Sequence, residues 1–282
     1  MDLDSFAEYF ITHLPISALV YDNRSFGSSD GLPRCEIIPS LQVSDMQDAI
    51  TYAQTLEEID SERIAIWGSS YSGANVLQVA ALDRRVKAVL AQVPMISGWE
   101  NANRLISSVA IPEIQKICVA GYIIHNFRLI ILDRINRMKG GKPATVPVVT
   151  NDPHGMAALP GIGAWEYFET AHLTKAPNWV NEVTIKRFCT HPSTKLTFSL
   201  EVLPSHNPRP YIPLIAPTPL LLTVAANDTI TPTDLQLAAY NEAREPKQLE
   251  LVPGDHFVVY AGPTFEKVVS TQTEFLRKWL IR

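Results

Sequence analysis

The chain has 282 residues, of which 46% are apolar and 19% charged, and a formal net charge of −5. Such a composition buries a full core and is not that of a disordered chain, and its mild acidity argues against nucleic acid as the main partner, because phosphate binding needs a basic surface. Three dispersed cysteines, Cys35, Cys118 and Cys189, contain no CxxC pair, which speaks against a disulfide framework or a zinc site.

In chain order, residues 4–14 place Phe6, Tyr9, Phe10 and Leu14 on one helical face after an Asp4/Ser5 cap. The start carries no basic-then-apolar signal. The run ISALVY (16–21) reads as a buried strand, followed by the polar, glycine-bearing loop DNRSFGSSDG. A helix capped by Ser44 is expected to run through Leu56, with Asp45 in its first turn, where negative charge suits the helix dipole. Further strands are expected at 63–67, 86–93, 219–225 and 248–252, with helices at 72–82 and 234–245. A closing helix at 264–280 has an apolar stripe of Phe265, Val268, Val269, Phe275, Leu276 and Trp279, broken by one polar residue, Gln272. Strand and helix alternate, which implies a mostly parallel sheet wrapped by helices on both faces.

That rhythm stops between about Gly98 and Tyr211, where no clear strand is visible, and many of the 21 prolines gather between about 143 and 220. The expected organisation is therefore a core of residues 1–97 and 211–282 interrupted by an inserted helical lid, 98–210. Trp99, Tyr122 and Phe127 are candidates to line an apolar pocket under it. The most apolar stretch, 111–132, is interrupted by Glu113, Lys116, His125 and Arg128, too often to span a membrane. An intracellular, cytoplasmic protein is expected. The sequon Asn227-Asp228-Thr229 is then silent.

The strongest local signal is RIAIWGSSYSGAN (63–75). A buried strand runs into Gly68-Ser69-Ser70-Tyr71-Ser72-Gly73 and a helix leaves it. A nucleophile elbow needs this layout: its turn is so tight that only small residues fit two before and two after the nucleophile. Around Ser70 these are Gly68 and Ser72, although Ser72 stands where the strict G-x-S-x-G pattern has glycine. Ser69 would place Tyr71 in a crowded position, and Ser72 lies too far into the helix.

A serine hydroxyl needs a base to take its proton. His256, in VPGDHF (252–257), follows the last strand, where parallel sheets place their chemistry. His13, His125, His154, His172, His191 and His206 read as structural or solvated. The base in turn needs an acid to fix its tautomer. Asp228 follows the strand PLLLTVA directly; the bland alternative is a helix N-cap ahead of Pro232. Asp255 adjoins the histidine but would point away from its far ring nitrogen.

The order Ser70, Asp228, His256 is that of α/β-hydrolases. With YDNRSFGSSDG (21–31), IWGSSYSGANVL (66–77), PTPLLLTVAANDTITP (217–232) and VPGDHF (252–257), the chain resembles that superfamily. Within it, the chain looks like the fungal secondary-metabolite thiohydrolases and polyketide transferases, which are related to dienelactone hydrolases and S15 peptidases. The resemblance implies an α/β-hydrolase fold and a Ser70–His256–Asp228 triad, with the Tyr71 N–H as an oxyanion donor. No cofactor or metal is implied. The implied substrate is an ester or acyl thioester, presented by a polyketide synthase carrier domain and released by hydrolysis. Transfer of the acyl group to an alcohol, or a truncated non-catalytic homologue, are the alternatives. The resemblance also implies a further strand and a glycine loop ahead of the first helix, the loop supplying a second oxyanion donor. Met1 falls almost at the start of that helix. The strand at 63–67 is accordingly expected to lack a neighbour on one side, and the chain from Met1 to be nearly inactive unless extended by roughly 25–40 residues.

Overall fold

The computed structural model describes residues 3–107, 132–152, 157–159, 162–184 and 205–281. Four strands form a parallel sheet: β1 (Ile64–Ser69), β2 (Val86–Gln92), β3 (Leu220–Ala225) and β4 (Lys247–Val252), side by side in that order. Its helices are α1 (Leu3–His13), α2 (Pro39–Gln54), α3 (Tyr71–Leu82), α4 (Thr233–Glu242) and α5 (Gly262–Leu276).

Strand side chains alternate between the two faces of a sheet, and the core follows that period. Ile64, Ile66, Val89, Ala91, Leu220, Leu222 and Val224 pack with Val43 and Ile50 of α2, Val76 and Leu77 of α3 and Leu235 of α4. On the opposite face Ala88, Leu90, Leu221, Ala225 and Val252 pack with Phe6 and Phe10 of α1 and Val268, Val269, Phe275 and Leu276 of α5. Both faces are covered, which explains the mostly apolar sequence of β3, all six of whose residues are buried.

Three expectations need correction. Ile16–Tyr21 forms no strand: Leu19 is 50% and Val20 47% exposed, and the run enters no ladder. An apolar run becomes a strand only where its backbone finds a partner, and β1 ends the sheet on that side with no neighbour among the described residues. The second helix begins at Pro39 instead of after Ser44. Proline fits the first helical turn, where its missing N–H is not needed. The last helix also ends earlier than expected and passes into a wider turn at Arg277–Ile281.

The chain divides into two compact units. The sheet and its helices belong to 2–21, 40–97 and 207–282, and the other unit comprises 22–39 and 98–206. In the latter the loop after Tyr21 is held by its own groups: Asp22 accepts from the Ser28 N–H at 2.8 Å, and Ser25 Oγ donates to the Glu36 carbonyl at 2.7 Å. Helices occupy Gly98–Ser107, 132–138 and Ile162–Lys175. A two-residue antiparallel ladder joins Thr145–Val146 to Val183–Thr184, beside a small cluster of Val146, Ala158 and Val183. Trp99 is 58% exposed. Tyr122 and Phe127 lie outside the described residues. Among the described residues no helix is long and apolar enough to cross a membrane.

Candidate active site

Ser70 stands between the end of β1 and the first residue of α3, at φ 58° and ψ −119°. A non-glycine residue rarely adopts positive φ, and here the turn demands it. The turn is pinned from both sides: Ser70 N–H donates to the Gln92 carbonyl at 2.8 Å and Met95 N–H to the Ser70 carbonyl at 3.0 Å. The small neighbours are required by space. A Cβ on Gly68 would lie 2.5 Å from the Ser72 carbonyl oxygen, and one on Gly73 would lie 2.7 Å from Pro94 Cβ. Ser70 remains partly exposed.

His256 sits in the loop after β4. That loop is tied to the one after β3 by the Ala226 N–H on the Val252 carbonyl at 2.8 Å and the Asn227 N–H on the Gly254 carbonyl at 2.9 Å. The histidine is 3% exposed and the edge of its neighbour Phe257 lies against it, ring centroids 5.2 Å apart. Its Nδ1 is 2.8 Å from Asp228 Oδ2, and its Nε2 is 2.9 Å from Ser70 Oγ. An ionised carboxylate only accepts. Nδ1 therefore carries the ring proton and donates to Asp228, and Nε2 accepts from the Ser70 hydroxyl.

Asp228, 4% exposed, divides its two oxygens between two tasks. Oδ1 accepts from the Ile230 and Thr231 N–H groups, both at 2.9 Å. Oδ2 accepts from His256, from Thr231 Oγ1 at 2.8 Å and from Gln236 Nε2 at 3.3 Å. The capping reading and the orienting reading of Asp228 thus describe different oxygens of one carboxylate.

Thr231 and Gln236 escaped the sequence reading. Thr231 Oγ1 lies 2.9 Å from the Val93 carbonyl and 3.2 Å from His256 Nδ1. Gln236 also donates to the Thr231 carbonyl. A signal for Gln236 was present: it is a fully buried polar residue between the buried Leu235 and Ala239 of α4, and buried amides need partners.

The other described candidates have surroundings of their own. Asp255 turns onto its own loop and accepts from the Phe257 N–H at 3.0 Å. His13 donates from Nδ1 to the Tyr9 carbonyl and stacks on the Tyr9 ring. His172 donates from Nδ1 to the Ala176 carbonyl. His206 is buried, which pushes its pKa down to about 4. His125, His154 and His191 lie outside the described residues, as do Cys118 and Cys189. Tyr71 opens α3, so its N–H belongs to the first helical turn, whose amides point out of the helix end toward any developing negative charge. Among the described residues no group of three or more His, Cys, Asp or Glu side chains converges as a metal site would require.

Comparison with known proteins gives a consistent picture. Residues 17–120 match the family described as X-Pro dipeptidyl-peptidase (S15 family). The chain is 30% identical to a thiohydrolase of Eupenicillium brefeldianum over 98% of its own length and 81% of the relative. It is 30% identical to the polyketide transferase claH of Penicillium crustosum, over 94% of this chain and 79% of that one. Among solved structures, the alpha/beta hydrolase GrgF from Penicillium sp. sh18 superimposes with a TM-score of 0.72 at 26% identity, covering 99% of this chain and 85% of that one.

Proposed function

The chain belongs to the α/β-hydrolase superfamily, and from that membership we propose that it is a serine hydrolase that cleaves an acyl thioester of polyketide origin. Ser70 Oγ adds to the acyl carbonyl as its proton passes to His256 Nε2. Asp228 keeps the imidazole in the tautomer that can receive that proton, and the Tyr71 N–H faces the oxyanion. The carbon–sulfur bond then breaks, and the thiol leaves with the proton held on His256. Water repeats the sequence on the acyl-serine, restoring the hydroxyl and releasing the acid. Substrate, water and three side chains supply every proton and electron pair in these steps.

The observation that carries this reading is the unbroken run of hydrogen bonds from Asp228 Oδ2 through His256 to Ser70 Oγ, at 2.8 and 2.9 Å, where three parallel strands end. The acyl class rests on the relatives named thiohydrolase and polyketide transferase. Transfer to an alcohol uses the same acyl-enzyme, and the relatives carry both names at equal identity.

Intact mass spectrometry after incubation with a synthetic acyl thioester tests the proposal. The expected result is an acyl adduct on Ser70, absent from Ser70→Ala, that decays to free acid. Ester product growing at the expense of acid when alcohols are added moves the reading to transfer. If no adduct forms and neither acid nor ester is released under any of these conditions, both catalytic readings fall and a binding protein is left.

A further inference from the structure

One register row crosses the whole sheet with polar residues. Ser69 pairs with Gln92, Gln92 with Thr223 and Thr223 with Glu250, one residue from each strand. All four are buried. A buried polar side chain costs free energy unless it is paired, so this row needs a reason. Gln272 of α5, the polar break in an otherwise apolar stripe, supplies it. It is 1% exposed and stands over the row. Its Nε2 lies 2.9 Å from Gln92 Oε1 and 3.4 Å from Thr223 Oγ1, and its Oε1 lies 2.9 Å from Trp67 Nε1.

The direction of this chain follows from its first member. The Trp67 indole can only donate, so Gln272 must present its oxygen to Trp67 and its amide nitrogen to Gln92. Gln92 then presents its own nitrogen to Ser69 Oγ, at 3.2 Å. Ser69 Oγ in turn lies 2.6 Å from the Tyr260 hydroxyl. Phe6 closes over both ends, tilted against Trp67 at 4.8 Å and edge-on to Tyr260 at 6.5 Å.

The last link of this relay, Ser69 to Tyr260, joins the two segments that hold the reacting pair. Ser69 immediately precedes Ser70, and Tyr260 ends the short 3-10 turn Val258–Tyr260 that follows His256. The Tyr260 ring centroid is 6.5 Å from that of His256. Two loops from opposite ends of the sequence are thereby fixed at one separation. We propose that Ser69 and Tyr260, held by Gln92 and Gln272, are positioning residues that set the Ser70–His256 distance. This rests on the serine-hydrolase reading above. A small misplacement of reacting groups costs rate steeply, whereas the binding of substrate does not pass through this relay. Its loss therefore acts on turnover.

The test compares Tyr260→Phe, Ser69→Ala and the double variant with the parent for kcat, KM and thermal midpoint, using an activated ester. Ser69→Ala carries the test alone if Tyr260→Phe does not fold. Each single change should lower kcat roughly tenfold with KM within about twofold, and the double should be no slower than the slower single, because both remove the same bond. Singles within about twofold of the parent in kcat overturn the proposal. So does a loss carried by KM, or a double whose loss is the product of the two. Labelling by an alkyl fluorophosphonate separates the two readings. If Ser70→Ala abolishes it while Tyr260→Phe turns over normally, the positioning role fails and the triad stands. If labelling survives in Ser70→Ala, the triad reading itself fails.

Discussion

The sharpest consequence of the site geometry concerns Asp228→Asn. Asn is isosteric with Asp but has an oxygen and an amide nitrogen in place of two oxygens. The Oδ1 position receives the Ile230 and Thr231 N–H groups, so it must remain the oxygen. The amide nitrogen therefore takes the place of Oδ2 and points a donor at His256 Nδ1, which in the parent stands 2.8 Å from the carboxylate oxygen. Nδ1 must become an acceptor, which moves the ring proton to Nε2, facing Ser70 Oγ. A protonated Nε2 cannot take the serine proton. A tautomer inverted in this way lowers kcat by about 10⁴ in a Ser-His-Asp enzyme, or about 5 kcal/mol of barrier at 1.36 kcal/mol per tenfold. Single-turnover acylation by a p-nitrophenyl ester, followed by stopped flow, measures it. The turn contacts to Oδ1 survive while the Thr231 and Gln236 bonds to Oδ2 are lost, so the thermal midpoint should fall but the protein should still fold. An Asp228→Asn variant that folds normally and acylates within about tenfold of the parent would falsify the tautomer argument.

Thr231→Val removes a hydroxyl bond to the Asp228 carboxylate and keeps the shape. Hydrogen bonds to charged groups contribute about 1.5–3 kcal/mol, so acylation should slow by at least about tenfold, and an unchanged burst rate would show the hydroxyl to be a bystander. Gly68→Ala places a Cβ 2.5 Å from the Ser72 carbonyl oxygen and 2.9 Å from Val76 Cγ1. Overpacking of this kind costs about 1–3 kcal/mol, which urea titration should register together with loss of phosphonate labelling at Ser70. The buried His206 gives stability a pH dependence. The folded pKa is depressed from 6.5 to about 4, so between these values the unfolded chain binds a proton that the folded chain does not. Its contribution is complete above pH 6.5 and is lost as pH falls toward 4. The fall amounts to about 3 kcal/mol at 1.36 kcal/mol per pH unit. Denaturant titrations of the parent and His206→Asn across that window should differ in slope, and equal slopes would remove the assignment.

The inner strands were readable because burial on both faces makes them mostly apolar, as in Leu220–Ala225, where Thr223 is the one polar residue. Ile16–Tyr21 is similarly apolar and misled for that reason: composition reports what a segment prefers, while a strand also needs a partner for its backbone. The tight turn at Ser70 was legible from steric necessity, since only small side chains fit around it. Thr231 was not legible, because nothing in a threonine shortly after an asparagine–aspartate pair states which way its hydroxyl will turn. Gln272 stood out as a polar residue on an apolar face, yet its partners Trp67 and Gln92 lie 205 and 180 positions away in the chain. A pattern local to one helix can mark the anomaly but cannot name what resolves it.

The divided carboxylate of Asp228 bears on how such a chain would age if its reaction ceased to matter. Selection would still retain Asp228, because two backbone amides of the turn before α4 depend on Oδ1. Persistence of that residue in a descendant is thus weak testimony to surviving chemistry. Ser70 is the opposite witness. A serine at φ 58° bears a conformational penalty that glycine would escape, so drift would tend to erase it first. In any lineage derived from this sequence, the serine is the position at which to ask whether an enzyme is still there.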